Sequence, residues 1–312
     1  MPFIKPILAL CSDRTRLAKE NPKISGPDFW MPIVAAKTEN LCTVSFDYFI
    51  NWQNLRLDRD FWLKCPINTS IIPNWKDLAE NEISTLLRQH EPFRTLVSFS
   101  GANDASASAI IFDDTQNWGS SDSKIIVAHW PKDESTGKGL AVSIVHLENI
   151  KDTIRSKSGG PIEIGQKGLI YGTSRLECFL STTNSLWPGD ADLVICEKFS
   201  MRPLALIEFK KHTEKSSIKF QDQRLSNYYP TPDRRKYDRL SLLSEQINPA
   251  SKVKLFTVYY STNPLELQIK IEEIVGTSGA LKSGRGAQVA IQPSDQEAGY
   301  RSVLENILDF AA

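Results

Sequence analysis

Histidine and methionine are scarce in this 312-residue chain, and no paired-cysteine motif is present. Its four histidines (His90, His129, His146, His212) and five cysteines (Cys11, Cys42, Cys65, Cys178, Cys196) are scattered, with no C-x-x-C pair and no Cys/His cluster. That spacing argues against a structural zinc site, which draws its ligands from such short pairs. An odd cysteine count gives no disulfide framework either. Cys178 and Cys196 lie in apolar runs, where a thiol acts as a small apolar side chain, so reduced thiols in a cytoplasmic protein are expected. No run approaches ~18 apolar residues, so no membrane span is expected. The N-terminal "PFIKPILALCSDRTR" lacks the layout of a signal peptide. Excess charge is missing as well: 37 basic side chains balance 37 acidic ones. A nucleic-acid partner must therefore be met by a local basic patch, not by the overall field. Neither an internal repeat nor a low-complexity segment is visible.

What is present is a globular composition, 41% hydrophobic and 24% charged, long enough for two domains or one elaborated α/β domain. In the first half, "PILALC", "MPIVAA", "TVSFDYFI", "RTLVSF", "SAIIFDD", "KIIVAHW" and "LAVSIVHL" have the β-branched and aromatic content of strands. "WKDLAENEISTLLRQH" (75–90) has helical spacing, with Pro92 just beyond its end. The loop "PKDESTGKGL" carries Gly137-Lys138 but lacks the earlier glycine and the following Ser/Thr of a phosphate cradle. Residues 151–168 shift to Gly, Ser and Lys and suggest a connector or mobile loop between a region 1–150 and a domain 169–312. The latter reads as helix (170–182), strands (191–197 and 203–210), helices (216–228 and 234–246), strands (253–260 and 265–274) and a closing helix. The expected fold class is α/β: a mixed central sheet flanked by helices, with a β-rich α/β region N-terminal to it.

One stretch, "WPGDADLVICEKFSMRPLALIEFKKHT" (187–213), places acids on otherwise apolar strands. Buried charges cost several kcal/mol each unless paired or bound to metal. Alternation along "LALIEFKK" sets Leu206, Glu208 and Lys210 on one face and Ile207 and Phe209 on the other. If the strands pair as a hairpin across "CEKFSMRP", Asp192 arrives beside Glu208, and a hard divalent cation would relieve the repulsion between the two acids. Asp190 competes with Asp192, but Asp192 immediately precedes the apolar run. Upstream, "GTSRLECFLST" offers Glu177 beside the apolar face of a helix. Downstream, "FQDQRLSNYYPTPDRRKYDRLSLL" interleaves Arg224, Arg234, Arg235 and Lys236 with Tyr228, Tyr229 and Tyr237, a mixture suited to a nucleic-acid backbone and base stacking. Lys211 is a further candidate phosphate contact.

A helix Glu (Glu177), an Asp opening a strand ("GDADLVI", Asp192) and Glu-x-Lys ending the next (Glu208-Phe209-Lys210) resemble the PD-(D/E)xK nuclease superfamily. The resemblance covers about a third of the chain and implies a restriction-endonuclease-like α-β-β-β-α-β core over residues 168–262. It implies Mg2+- or Mn2+-dependent hydrolysis of phosphodiester bonds of DNA, less often RNA, in defence or repair. Asp192 and Glu208 would be metal ligands, Phe209 would lend its backbone carbonyl, Lys210 would orient or activate water, and Glu177 would be an outer ligand. The family's paired cuts on duplex DNA carry an expectation of a homodimer. Two departures stand out: Gly-Asp-Ala-Asp replaces Pro-Asp, and the join from Glu177 to Asp192 leaves little room for a first core strand. Two rival readings are an inactive nuclease-like binding module and a nuclease gated by a small molecule bound to the N-terminal region.

Overall fold

The computed structural model describes residues 1–12, 14, 31–120, 122–131, 140–163, 168–213, 216–248, 250–261, 263 and 267–312. In chain order its elements are β1 (Ala9–Leu10), α1 (Met31–Lys37), β2 (Leu41–Tyr48), β3 (Ile50–Asn51), β4 (Arg56–Leu57), β5 (Asp60–Pro66), α2 (Glu80–Gln89) and α3 (Glu91–Ala102). Next come β6 (Ser106–Phe112), β7 (Lys124–Trp130), β8 (Ala141–His146), α4 (Leu147–Ser158), β9 (Tyr171–Gly172), α5 (Arg175–Leu180), β10 (Gly189–Glu197) and β11 (Pro203–His212). The chain ends with α6 (Arg234–Gln246), β12 (Lys254–Ser261), β13 (Gln268–Val275), β14 (Lys282–Ala290) and α7 (Gln296–Ala311).

These elements divide into two compact units that do not follow chain order. One spans Met1–Glu20 and Phe46–Asp190; the other spans Asn21–Ser45 and Ala191–Ala312. The expected division near 151–168 falls elsewhere: residues 151–158 belong to α4, which ends at Gly159 in the left-handed region, φ 78°. Residues 164–167 of that stretch, and 132–139 of the Gly-Lys loop, lie outside the described residues.

In the C-terminal unit the strand order is β14-β13-β12-β11-β10 followed by the start of β2. β10 and β11 form an antiparallel hairpin; β11 and β12 run parallel, with α6 in the crossover; β13 and β14 continue antiparallel. One face carries Leu193, Ile195, Ile207, Phe256 and Val258 against Met31, Val34 and Ala35 of α1 and Val303, Leu304 and Ile307 of α7. α1 corrects the strand expected at "MPIVAA". Its buried residues recur at helical spacing (31, 34, 35), and Pro32 is tolerated in the first turn.

In the N-terminal unit the order is the end of β2, then β5-β6-β7-β8, with small pairs β1/β9 and β3/β4. β2/β5 is antiparallel, β5/β6 parallel, and β6/β7 and β7/β8 antiparallel. α2 and α3 fill the parallel crossover. α3 replaces the strand expected at "RTLVSF": Phe93, Leu96, Phe99 and Ser100 share its buried face, and Pro92 starts this helix in addition to following the previous one. α4 and α5 cover the opposite face through Ile150, Ile154, Leu176 and Leu180 on Trp62, Ile110, Phe112 and Trp187. Cys11 and Cys178 are joined by a disulfide, with a Cα–Cα distance of 5.4 Å in the normal range, so these two are not the reduced thiols expected. Cys42, Cys65 and Cys196 are free.

Among the described residues, no helix is long and apolar enough to cross a membrane. The helix expected at 216–228 is instead two 3-10 turns, Phe220–Asp222 and Leu225–Asn227. β14, "KSGRGAQVA", carries no apolar alternation, and most of it is exposed.

Candidate functional site

The β10/β11 hairpin sets the geometry. Leu193 faces Ile207 and Val194 faces Leu206, so continuing the register brings Asp192 opposite Glu208. Ile207 goes to the α1/α7 core, and Glu208 takes the other face. There Lys236 of α6 reaches both acids: Nζ lies 2.9 Å from Glu208 Oε1 and 3.8 Å from Asp192 Oδ1. Asp192 Oδ2 accepts the backbone N–H of Phe209 at 2.8 Å. N–H and C=O of one strand residue point to the same side, so the Phe209 carbonyl also faces the Asp192 edge.

Glu208 is the most demanding group here. Its side chain is 1% exposed. Lys210 Nζ sits 3.1 Å from Oε1, yet neither this ammonium nor that of Lys236 meets hydrogen-bond angles, and both carboxylate oxygens lack a hydrogen-bond partner. A buried carboxylate held only by loosely directed ammonium groups retains unspent acceptor capacity. Lys210 is itself tightly placed. It donates to Asp233 Oδ2 at 2.6 Å, and its ammonium stands over the rings of Tyr228 (4.8 Å) and Tyr237 (5.4 Å). Burial lowers its pKa, but Glu208 and Asp233 outweigh burial and the repulsion from Lys236, so the net direction is upward and the group stays protonated. Asp233, at the start of α6, was not singled out in the sequence. An acid directly before "RRKY" and behind Pro232 carries the cue of a helix start, but nothing local tells that it faces Lys210.

Of the other expected residues, Tyr237 is fully buried and bonded through its hydroxyl to Thr257 Oγ1 at 3.2 Å, so it forms a wall of the cluster and not a stacking surface for bases. Arg224, Arg234, Arg235 and Lys211 are exposed, and Arg234 reaches Asp238 at 3.4 Å. Lys236 belongs to the acid cluster. Glu177 and Asp190 lie in the N-terminal unit. There Glu177 Oε2 accepts the N–H and hydroxyl of Thr173 at 2.7 and 2.6 Å and meets Lys64 Nζ at 3.4 Å. Those bonds do not serve the outer metal-ligand role expected of Glu177.

Among the described residues, no group of three or more His, Cys, Asp and Glu side chains is placed to hold a metal ion. Two carboxylates and a carbonyl nevertheless fit Mg2+ chemically, because this ion binds through one or two carboxylates and keeps several waters. The unsatisfied oxygens of Glu208 are the observation that carries this fit. No family model, no curated protein and no solved structure matches the chain.

Proposed function

We propose that the C-terminal unit is a metal-dependent nuclease hydrolysing phosphodiester bonds of DNA. The reading rests above all on Glu208, a buried carboxylate with unsatisfied oxygens, one hairpin step from Asp192 and beside a protonated lysine. The order α1, β2, β10, β11, α6, β12 within this unit also supports it. It reproduces an α-β-β-β-α-β succession, with α1 in place of the Glu177 helix and residues 46–190 set between the first two strands.

Asp192 and Glu208, with the Phe209 carbonyl, would hold Mg2+ or Mn2+. When bound, the ion supplies Lewis acidity toward a phosphoryl oxygen and a lowered pKa for a coordinated water. The chain's own groups do the rest. Phe209 N–H fixes the Asp192 carboxylate. Lys210, fixed by Asp233 and protonated, contributes a positive charge where phosphoryl oxygens gain negative charge, so it stabilises charge and does not remove a proton. Lys236, about one-third exposed, balances the acid pair. The exposed Arg234 and Arg235 at the start of the same helix suit contacts to the DNA backbone.

The test is Mg2+-dependent cleavage of plasmid and single-stranded DNA. Wild type should cut and Lys210→Ala should not. Equal behaviour of the two would leave a binding module as the better reading, and cutting only after addition of a nucleotide would favour the gated one.

A further inference from the structure

Two of the three free cysteines stand opposite each other in the C-terminal unit. Cys42 lies on β2 and Cys196 on β10, strands that are neighbours in the sheet. Lys198 N–H donates to the Asn40 carbonyl at 2.8 Å, and Ser45 Oγ donates to the Asp192 carbonyl at 2.7 Å. Numbers rise on one strand as they fall on the other, so these strands run antiparallel. Two residues inward from the bond between Lys198 and Asn40, Cys42 faces Cys196. Opposite residues of an antiparallel pair have Cα atoms about 4.5–5.5 Å apart and side chains on one face. A disulfide spans Cα distances of about 4.4–6.8 Å, so the backbone already meets its requirement.

The two thiols differ in exposure. Cys42 is half-buried, with Sγ 3.6 Å from Met201 Sδ and 4.0 Å from the Glu197 carbonyl oxygen, whereas Cys196 is fully buried. Met201 reaches Cys42 from the hairpin turn with φ at 54°, a left-handed backbone that long side chains rarely adopt. A hydrogen bond from Cys196 lowers the Cys42 pKa to about 7 against the burial that raises it, and Lys198 assists. Burial, with Cys42 adding to it, pushes the Cys196 thiol up. The pair thus has one accessible sulfur that ionises near neutrality and one enclosed sulfur that keeps its proton. That is the division between a thiol that is oxidised first and a neighbour that resolves it. Cys65, the third free cysteine, is buried in the other unit, and burial pushes its thiol up.

We infer that Cys42 and Cys196 are a peroxide-oxidisable dithiol, Cys42 taking the oxidant and Cys196 closing a cross-strand disulfide. In the first step the Cys42 thiolate attacks one oxygen of hydrogen peroxide. An S–O bond forms, the O–O bond breaks, and the departing hydroxide takes up the proton that Cys42 gave to solvent. The sulfur is oxidised to a sulfenic acid and the peroxide is reduced. In the second step the Cys196 sulfur attacks the Cys42 sulfur. The S–S bond forms, the S–OH bond breaks, and hydroxide leaves with the Cys196 proton as water. Both thiols and one peroxide are consumed, and the products are the disulfide and water. The bond fastens β2 to β10, the strand that also carries Asp192, and it stands independently of the nuclease reading.

The experiment exposes the folded full-length chain to hydrogen peroxide without reductant and then counts free thiols after denaturation. Wild type should fall from three, Cys42, Cys65 and Cys196, to one. Peptide mass spectrometry should find Cys42 and Cys196 in one cross-linked pair, lighter by the hydrogens lost. A chain purified already at one free thiol with that link in place supports the inference equally. Cys196→Ala should stop at the Cys42 sulfenic acid, trapped by dimedone, and Cys42→Ala should keep both Cys65 and Cys196 as thiols. Wild type that keeps all three thiols overturns the inference. So does Cys42 carried to a sulfinic acid without a link, or a link between two chains in place of the link within one. If Cys196→Ala does not fold, Cys196→Ser is trapped in its place; the wild-type count and the cross-link decide in either case.

Discussion

The two units carry a lysine two residues beyond the position opposite an aspartate, and they differ in what stands opposite. With Glu208 there, the carboxylate is buried and under-bonded, and the balancing cation, Lys236, is one-third exposed and carried by a helix start rich in arginine. With Trp62 there, the indole packs on Phe49 and Trp187, and Lys64 is enclosed by Asp47, Glu177 and Thr173. One register pattern therefore accompanies two unlike clusters: two acids beside two ammonium groups in one unit, and a single ammonium enclosed by acids in the other.

The largest effect expected from this difference is on activity. Asp192→Asn keeps an acceptor for Phe209 N–H but removes a charge, and Lys210→Ala removes the fixed ammonium. Each should lower Mg2+-dependent cleavage by about 100-fold or more, the scale set by loss of one group that stabilises transition-state charge. Lys210→Ala also strands Asp233 and Glu208, so folding must be checked by circular dichroism beside the assay. Similar losses from Asp47→Asn, in the other unit, would break the contrast between the units.

How much of this was legible in sequence follows from which forces are local. Alternation in "LALIEFKK" placed Glu208 and Lys210 on one face, and α6 was visible at 234–246, because strand and helix periods are short-range signals. α3 was hidden because "RTLVSF" is rich in strand formers, and its true period shows only when Phe93 and Ser100 are included. β14 is exposed and glycine-bearing, so no apolar pattern marks it. The second cluster was out of reach: Asp47, Lys64 and Glu177 sit on three elements separated by 113 residues between Lys64 and Glu177. Their meeting is a property of topology. The disulfide was hidden for the same reason, since Cys11 and Cys178 are 167 residues apart.

That disulfide gives the next effect. Both cysteines lie in the N-terminal unit, so Cys178→Ala should lower that unit's stability by about 2–5 kcal/mol and leave the C-terminal unit unchanged. Thermal melts with and without reductant check it. A wild-type melt insensitive to reductant would mean the bond contributes nothing to the enclosure of Lys64.

Asp47 gives a pH signature of smaller size. Burial raises its folded pKa from 3.8 to about 7, so between these values the folded state binds the extra proton. Stability of the N-terminal unit should therefore fall as pH rises from about 4 to about 7 and level off above, by at most ~4 kcal/mol. Asp47→Asn should flatten that slope. Denaturant melts at pH 4.5, 6 and 7.5 compare the two chains, and an unchanged slope would show that Lys64 holds the carboxylate ionised throughout.

The smallest effect separates the two crossover helices. Arg235 is exposed near the start of α6, beside the candidate site; Arg94 is exposed on α3, the matching crossover of the N-terminal unit. An arginine on a DNA phosphate releases about one counterion, so Arg235→Ala should weaken DNA binding a few-fold at ~0.1 M salt and reduce the salt dependence of log K by about one. Arg94→Ala should change neither, because the candidate site lies in the other unit. Fluorescence anisotropy of a labelled duplex between ~50 and ~200 mM salt, in Ca2+ to prevent cutting, reads both slopes. Equal losses from the two variants would mean that the N-terminal unit binds DNA as well.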